Sequence, residues 1–267
     1  MREPDPAVAA AVAAHHEGRY EEAVPMLVQL FERSERESAS MHSPFFITMF
    51  EWQMMLEDYP PARAALQALR DDQIRKFLAG QLIFAPDDTS VMVDEPWRQK
   101  PRFSVVVRIN DLLQDLASTC ALFAGLDANN PELARRYGYM ALPAIVAEQQ
   151  WALAERYRRD PLQVLPECNR IRHTFSLFPS LDQAPRLAAT FMSLMTDVHL
   201  ALSVLENTGR AGEATALRAA LLAGLEDDTL RDFAARDLAD PGTISRELTE
   251  HRMALDAAAP PSLQPSD

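Results

Sequence analysis

Gly18-Arg19-Tyr20-Glu21-Glu22-Ala23-Val24-Pro25-Met26-Leu27-Val28-Gln29-Leu30-Phe31 is the stretch whose reading decides the fold. Before it, Asp5 to Glu17 is an Ala- and Val-rich block, which Gly18-Arg19 interrupts. After it, Ala23, Met26, Leu27, Leu30 and Phe31 recur at spacings of three and four, the stripe of a helix with one face in a core. Two apolar helical blocks around a two-residue break read as a helix hairpin, with the second helix running from Tyr20 to about Arg36.

The same pattern continues outward. Ser43-Pro44 opens a third helix, with Ser43 as N-cap and Pro44 in the first turn. From Phe45 to Glu57 that helix carries apolar residues on many faces, Phe45, Phe46, Phe50, Trp52, Met54 and Met55 among them. It belongs in the middle of a stack, and a Met-rich binding groove is the functional alternative. Tyr59-Pro60-Pro61 turns the chain into a helix ending near Gly80. Further blocks are expected at about Phe103–Leu126, Pro131–Tyr157, Ala184–Glu206, Glu213–Leu225, Asp228–Leu238 and Thr243–Leu255. The chain thus divides into N-terminal hairpins over 1–80, an irregular strap over 81–102, a helical array over 103–257 continuous with the first part, and a Pro- and Ser-rich disordered tail over 258–267.

Composition agrees with an all-α class. Only 8 glycines occur in 267 residues, fewer than sheets joined by tight turns usually need, while Ala, Leu, Arg and Glu favour helix. The net charge of −13 argues against nucleic acid and anionic membranes, which attract basic surfaces, and favours solubility and basic protein partners. Lys76 and Lys100 are the only lysines, which reads as the codon bias expected of a GC-rich bacterial genome, with a role for arginine in ion pairing as the alternative. Cys120 and Cys168 have no C-x-x-C spacing and read as buried free thiols in a reducing cytoplasm. No basic start with an apolar h-region is seen, and no apolar run approaches the roughly 20 residues of a membrane span. A cytoplasmic location is expected.

Gly18-Arg19-Tyr20-Glu21-Glu22-Ala23 resembles the inter-helix turn of tetratricopeptide (TPR) repeats: Gly, one residue, an aromatic, two residues, Ala. Tyr59-Pro60-Pro61-Ala62 and Trp151-Ala152-Leu153-Ala154 repeat the aromatic-x-x-Ala part, and Gly209 to Ala214 keeps the Gly and the Ala. Leu126 to Glu132 resembles a repeat-to-repeat junction. The anchoring alanines at 23, 62, 154 and 214 follow no constant period. The resemblance therefore implies degenerate repeats: antiparallel helix hairpins stacked as a short TPR-like α-solenoid with two irregular insertions.

Those insertions are where function is expected. In Gln81–Pro101 the apolar residues, Trp97 among them, suit packing across helices with a short hairpin around Pro86–Ser90, while Asp87, Asp88, Asp94 and Glu95 offer a docking rim to a basic partner. Around Asp160–Pro185, Arg156, Arg158, Arg159, Arg170, Arg172 and His173 form a basic zone. Arginine forks recognise carboxylates and phosphates, although pairing with Glu155, Asp160 and Glu167 explains them as well.

No G-x-S-x-G, P-loop or G-x-G-x-x-G occurs, and no cofactor motif. In His15-His16-Glu17, neighbouring helical side chains point about 100° apart and do not easily share a metal. Asp197 and His199 diverge in the same way, and no metal site is assigned. The resemblance implies a non-enzymatic protein-binding adaptor or scaffold. One concrete case is an immunity protein that neutralises a basic toxin, another an accessory of a secretion complex. A helical enzyme with a site assembled from distant residues is the alternative. The oligomeric state is not legible.

Overall fold

The computed structural model describes residues 5–37, 44–85 and 100–258. The fold is all-α. Among the described residues it has thirteen helices and one two-stranded antiparallel pair. In chain order these are α1 (Pro6–His16), α2 (Tyr20–Ser34), α3 (Pro44–Asp58), α4 (Pro60–Leu78), β1 (Ile83–Ala85), β2 (Lys100–Pro101), α5 (Arg102–Leu113), α6 (Leu116–Asn129), α7 (Pro131–Ala147), α8 (Trp151–Tyr157), α9 (Leu165–Ile171), α10 (Arg186–Asn207), α11 (Ala211–Gly224), α12 (Asp228–Ala239) and α13 (Thr243–Ala258). Asp87, Asp88, Asp94, Glu95 and Trp97, the expected hairpin at Pro86–Ser90, the Ser43 N-cap and the tail beyond Ala258 lie outside the described residues.

Two compact units divide the chain, Met1–Ala144 and Ile145–Asp267. In the first, α2 packs between α1 and α3, and α5 lies along α4. Its core joins Leu27, Phe31, Trp52, Leu66 and Ile109. In the second, α10 is the central helix, with α8, α9, α11, α12 and α13 against it. At 22 residues α10 is long and apolar enough to span a bilayer by length and composition alone, contrary to the expectation that no stretch approaches that length. Its apolar residues Phe191, Leu194, Val198 and Leu202 supply the core of this unit.

The turn reading at Gly18 has a physical basis that recurs. Gly18, Gln149 and Gly209 all have positive φ (73°, 56° and 75°). After each, an N–H returns to a carbonyl five residues back: Arg19 to Ala14 (2.8 Å), Gln150 to Ile145 (3.0 Å) and Arg210 to Leu205 (2.8 Å). This left-handed closure satisfies carbonyls that a helix end leaves orphaned. The next helix then begins at Tyr20, Trp151 or Ala211, and its fourth residue is Ala23, Ala154 or Ala214. These three and Ala62, in the first turn of α4, are essentially fully buried. Tyr20 and Tyr59, the aromatics of the first two turns, stack with centroids 5.3 Å apart.

Gln149 occupies a conformation that suits Gly, since a Cβ in the left-handed region costs about 1–2 kcal/mol. Gly in turn loses about 0.5–1 kcal/mol of chain entropy. Gln149→Gly is therefore expected to raise the stability of the second unit by about 0.5–1 kcal/mol, read as a higher urea midpoint with unchanged slope.

Three blocks differ from expectation. Phe103–Leu126 is two helices, because Gln114 turns left-handed (φ 56°) and Asp115 caps α6 by accepting from the Ser118 N–H at 3.1 Å. Pro131–Tyr157 is likewise broken at Gln149. Within the irregular Asp160–Pro185 segment lies α9, tied to the end of α11: Asn169 Nδ2 donates to the Gly224 carbonyl (2.8 Å), and its Oδ1 accepts from the Glu226 N–H (3.2 Å).

Candidate functional site

Among the described residues, the third helix is not enclosed on all faces. Trp52, Met49 and Met55 are buried, yet Phe46 is 75% exposed, Phe50 and Met54 51%, and Ile47 42%. At 100° per residue these four positions fall within an arc of about 100°, opposite Trp52. The helix is thus apolar on many faces because it serves two, one turned inward and one left in solvent. Single exposed apolar residues are ordinary, but four forming one stripe make a contiguous apolar surface. Alpha3 contains no Lys, Arg or His, and its exposed polar residues are Gln53, Glu57 and Asp58.

A second feature of the first unit is a cleft of about 1070 Å³ between α2, α4 and β1, with Phe31, Leu69 and Phe84 on its apolar side. Its polar side is a network around Arg102, the first residue of α5 and only 3% exposed. The Arg102 guanidinium donates from Nε to the Gln81 carbonyl (2.7 Å), from Nη2 to the Ile83 carbonyl (2.8 Å), and from Nη1 to Glu35 Oε1 (2.6 Å) and to Gln73 Oε1. Lys76 donates to Glu35 Oε2 at 2.7 Å and pairs with Asp72 at 2.8 Å. Burial pushes the Glu35 carboxyl up, but the hydrogen bonds from Lys76 and Arg102 outweigh it and hold it below its ordinary range. The network ties β1 and the starts of α5 to α2 and α4. With its donors already engaged, Arg102 is a structural clasp.

At β2, Lys100 lies over the Phe45 ring, 3.6 Å from its centroid, and burial pushes its ammonium down to about 8.

Three arginines of the second unit's basic zone, Arg158, Arg170 and Arg172, are paired with carboxylates. Arg158 donates to Glu155 (3.1 Å), which also accepts from Arg210, the residue before α11 (2.5 Å). Arg170 holds Glu167 at 2.5 Å, and Arg172 reaches Glu226 (3.2 Å) and Asp227 (3.3 Å). The charge of Arg159 acts on Asp197, whose carboxyl burial nevertheless pushes up. Arg156 also has an interaction of its own, and His173 is exposed. Arg172 thus ties the end of α9 to Glu226 and Asp227, and Arg210 ties α8 to the start of α11, while Arg158 and Arg170 pair within their own segments.

Two histidines have long-range carboxylate partners that local spacing does not reveal. His199 Nε2 meets buried Asp237 at 2.7 Å, and Asp237 also accepts from the Ile244 N–H at the start of α13 (3.2 Å). His15 Nδ1 meets Glu51, 36 residues away on α3, while Glu17 is taken by Arg19 at 2.8 Å. Cys120 and Cys168 are buried and form no disulfide among the described residues, and burial pushes the Cys168 thiol up to about 11.

The chain matches no family model and no curated protein, and its structure matches no solved structure.

Proposed function

We propose that this chain is a non-enzymatic protein-interaction module, and that its contact face is the Phe46–Ile47–Phe50–Met54 stripe of α3. The observation that carries this reading is the stripe itself: large apolar side chains held in solvent on a helix whose other face is anchored in the core. The occupant is a protein with an apolar groove bordered by lysine and arginine. Alpha3 offers no cation of its own, ends in Glu57 and Asp58, and belongs to a chain of net charge −13, so a cationic border is complementary and steers the encounter. A cytoplasmic adaptor, or an immunity protein facing a basic toxin, fits this chemistry. The two differ in stoichiometry, one tight partner for immunity and several for a scaffold.

The test compares wild type with the Phe46→Asp/Phe50→Asp double variant as baits in the native host, then repeats binding with the purified partner. Both positions are exposed, so stability should change by no more than about 0.5 kcal/mol each. Removal of two anchors at about 2 kcal/mol each should weaken the complex by roughly 1000-fold, and rising salt should weaken what remains. Equal affinity of both baits for the captured protein would overturn the proposal.

A further inference from the structure

We propose that His15, His16 and Glu51 form a divalent transition-metal site, with Zn²⁺ the best-suited ion, that clamps the end of α1 to the middle of α3. One ligand atom from each of the three lies within 4.8 Å of the other two. The His15 and His16 ring centroids are 5.5 Å apart, and despite their adjacency in sequence a ring nitrogen of each comes within 4.8 Å of a Glu51 carboxylate oxygen. A tetrahedral ion with bonds of about 2.0–2.2 Å needs ligand atoms roughly 3.4 Å from one another, which side-chain torsions alone can supply from this starting point.

The environment of Glu51 is the second support. Its side chain is 4% exposed, that of His15 11%, and neither Lys nor Arg pairs with Glu51 among the described residues. A buried carboxylate is costly unless paired or bound to a metal. The first unit solves the same problem for Glu35 with two cations, Lys76 and Arg102. Glu51 has an imidazole in their place, a group that is also a preferred zinc ligand when neutral. His16 is exposed, which gives an ion a path in from solvent. Two imidazoles and one carboxylate leave a fourth position for water or for a donor from a partner.

The test uses the full chain, tag-free and treated with chelator, with Zn²⁺ alone as probe. Calorimetry should show one equivalent bound at micromolar affinity or tighter, and the melting temperature of the first unit should rise with Zn²⁺. Loss of an outer-shell partner already weakens metal sites about 10–100-fold, so loss of a ligand in His16→Ala or Glu51→Gln should weaken binding at least about 100-fold. His173→Ala, an exposed histidine in the other unit, should leave it unchanged. Circular dichroism confirms that each variant is folded, and His16→Gln substitutes if His16→Ala is not. No zinc uptake by wild type, or uptake that neither ligand variant reduces, would overturn the site and leave His15–Glu51 a structural pair.

Discussion

Arg102→Met is expected to destabilise the first unit by about 3–5 kcal/mol, the usual consequence of removing one member of a buried ion pair. Methionine fills similar space, so the loss comes from what is left behind. Glu35 keeps Lys76 as its one cation, the Oε1 of buried Gln73 loses the Nη1 donor, and the carbonyls of Gln81 and Ile83 lose the Nε and Nη2 donors. For a unit of this size the melting transition should fall by roughly 10 °C or more. Acidification provides the check on mechanism. The Glu35 carboxyl lies below its ordinary value of 4.5 in the folded chain, so its contribution is fully present above that pH and is lost as pH falls through the folded value. The gap between wild type and Arg102→Met should therefore narrow below about pH 4.5. Glu35→Gln and Arg102→Met combined should cost less than their sum, because both break one network. Additive effects and a gap independent of pH would assign Arg102 a packing role only.

The pairing of Arg102 with Glu35 also shows where sequence reading stops. The helices were legible because their signal is local: the stripe from Ala23 to Phe31 and the turn at Gly18 both lie within a few residues. The split of Phe103–Leu126 was less visible, since Gln114 takes a left-handed conformation that glycine normally announces. Helix α9 was hidden by the prolines around it. Groups that meet across 36 residues (His15 and Glu51) or 67 (Glu35 and Arg102) have no spacing to read. For the basic zone the sequence posed a choice between recognition and local pairing. Arg158 and Arg170 have taken carboxylates three residues away, whereas Arg172 reaches across to Glu226 and Asp227. The exposed stripe on α3 was legible as apolar text but not as surface, because periodicity cannot tell which of two apolar faces meets the core.

That ambiguity makes Trp52 the sharpest probe of α3. Trp52 is fully buried, and Trp52→Ala should cost about 3–5 kcal/mol through lost transfer energy and a residual cavity. The effect should appear as early melting of the first unit while the second retains its transition. Trp52→Phe should cost much less than its volume change implies. The indole Nε1 has no hydrogen-bond partner among the described residues, and a buried unmet N–H carries a penalty of about 1–3 kcal/mol that phenylalanine removes. The expected order is therefore wild type, close behind it Trp52→Phe, and far below both Trp52→Ala. Phe46→Ala and Phe50→Ala, on the opposite face of the same helix, should melt within about 0.5 kcal/mol of wild type and yet lose the partner. If Phe46→Ala instead destabilised the first unit as Trp52→Ala does, the stripe would be part of the core and the docking reading of α3 would fail. If all four variants melted like wild type, α3 would not be the helix that anchors the first core.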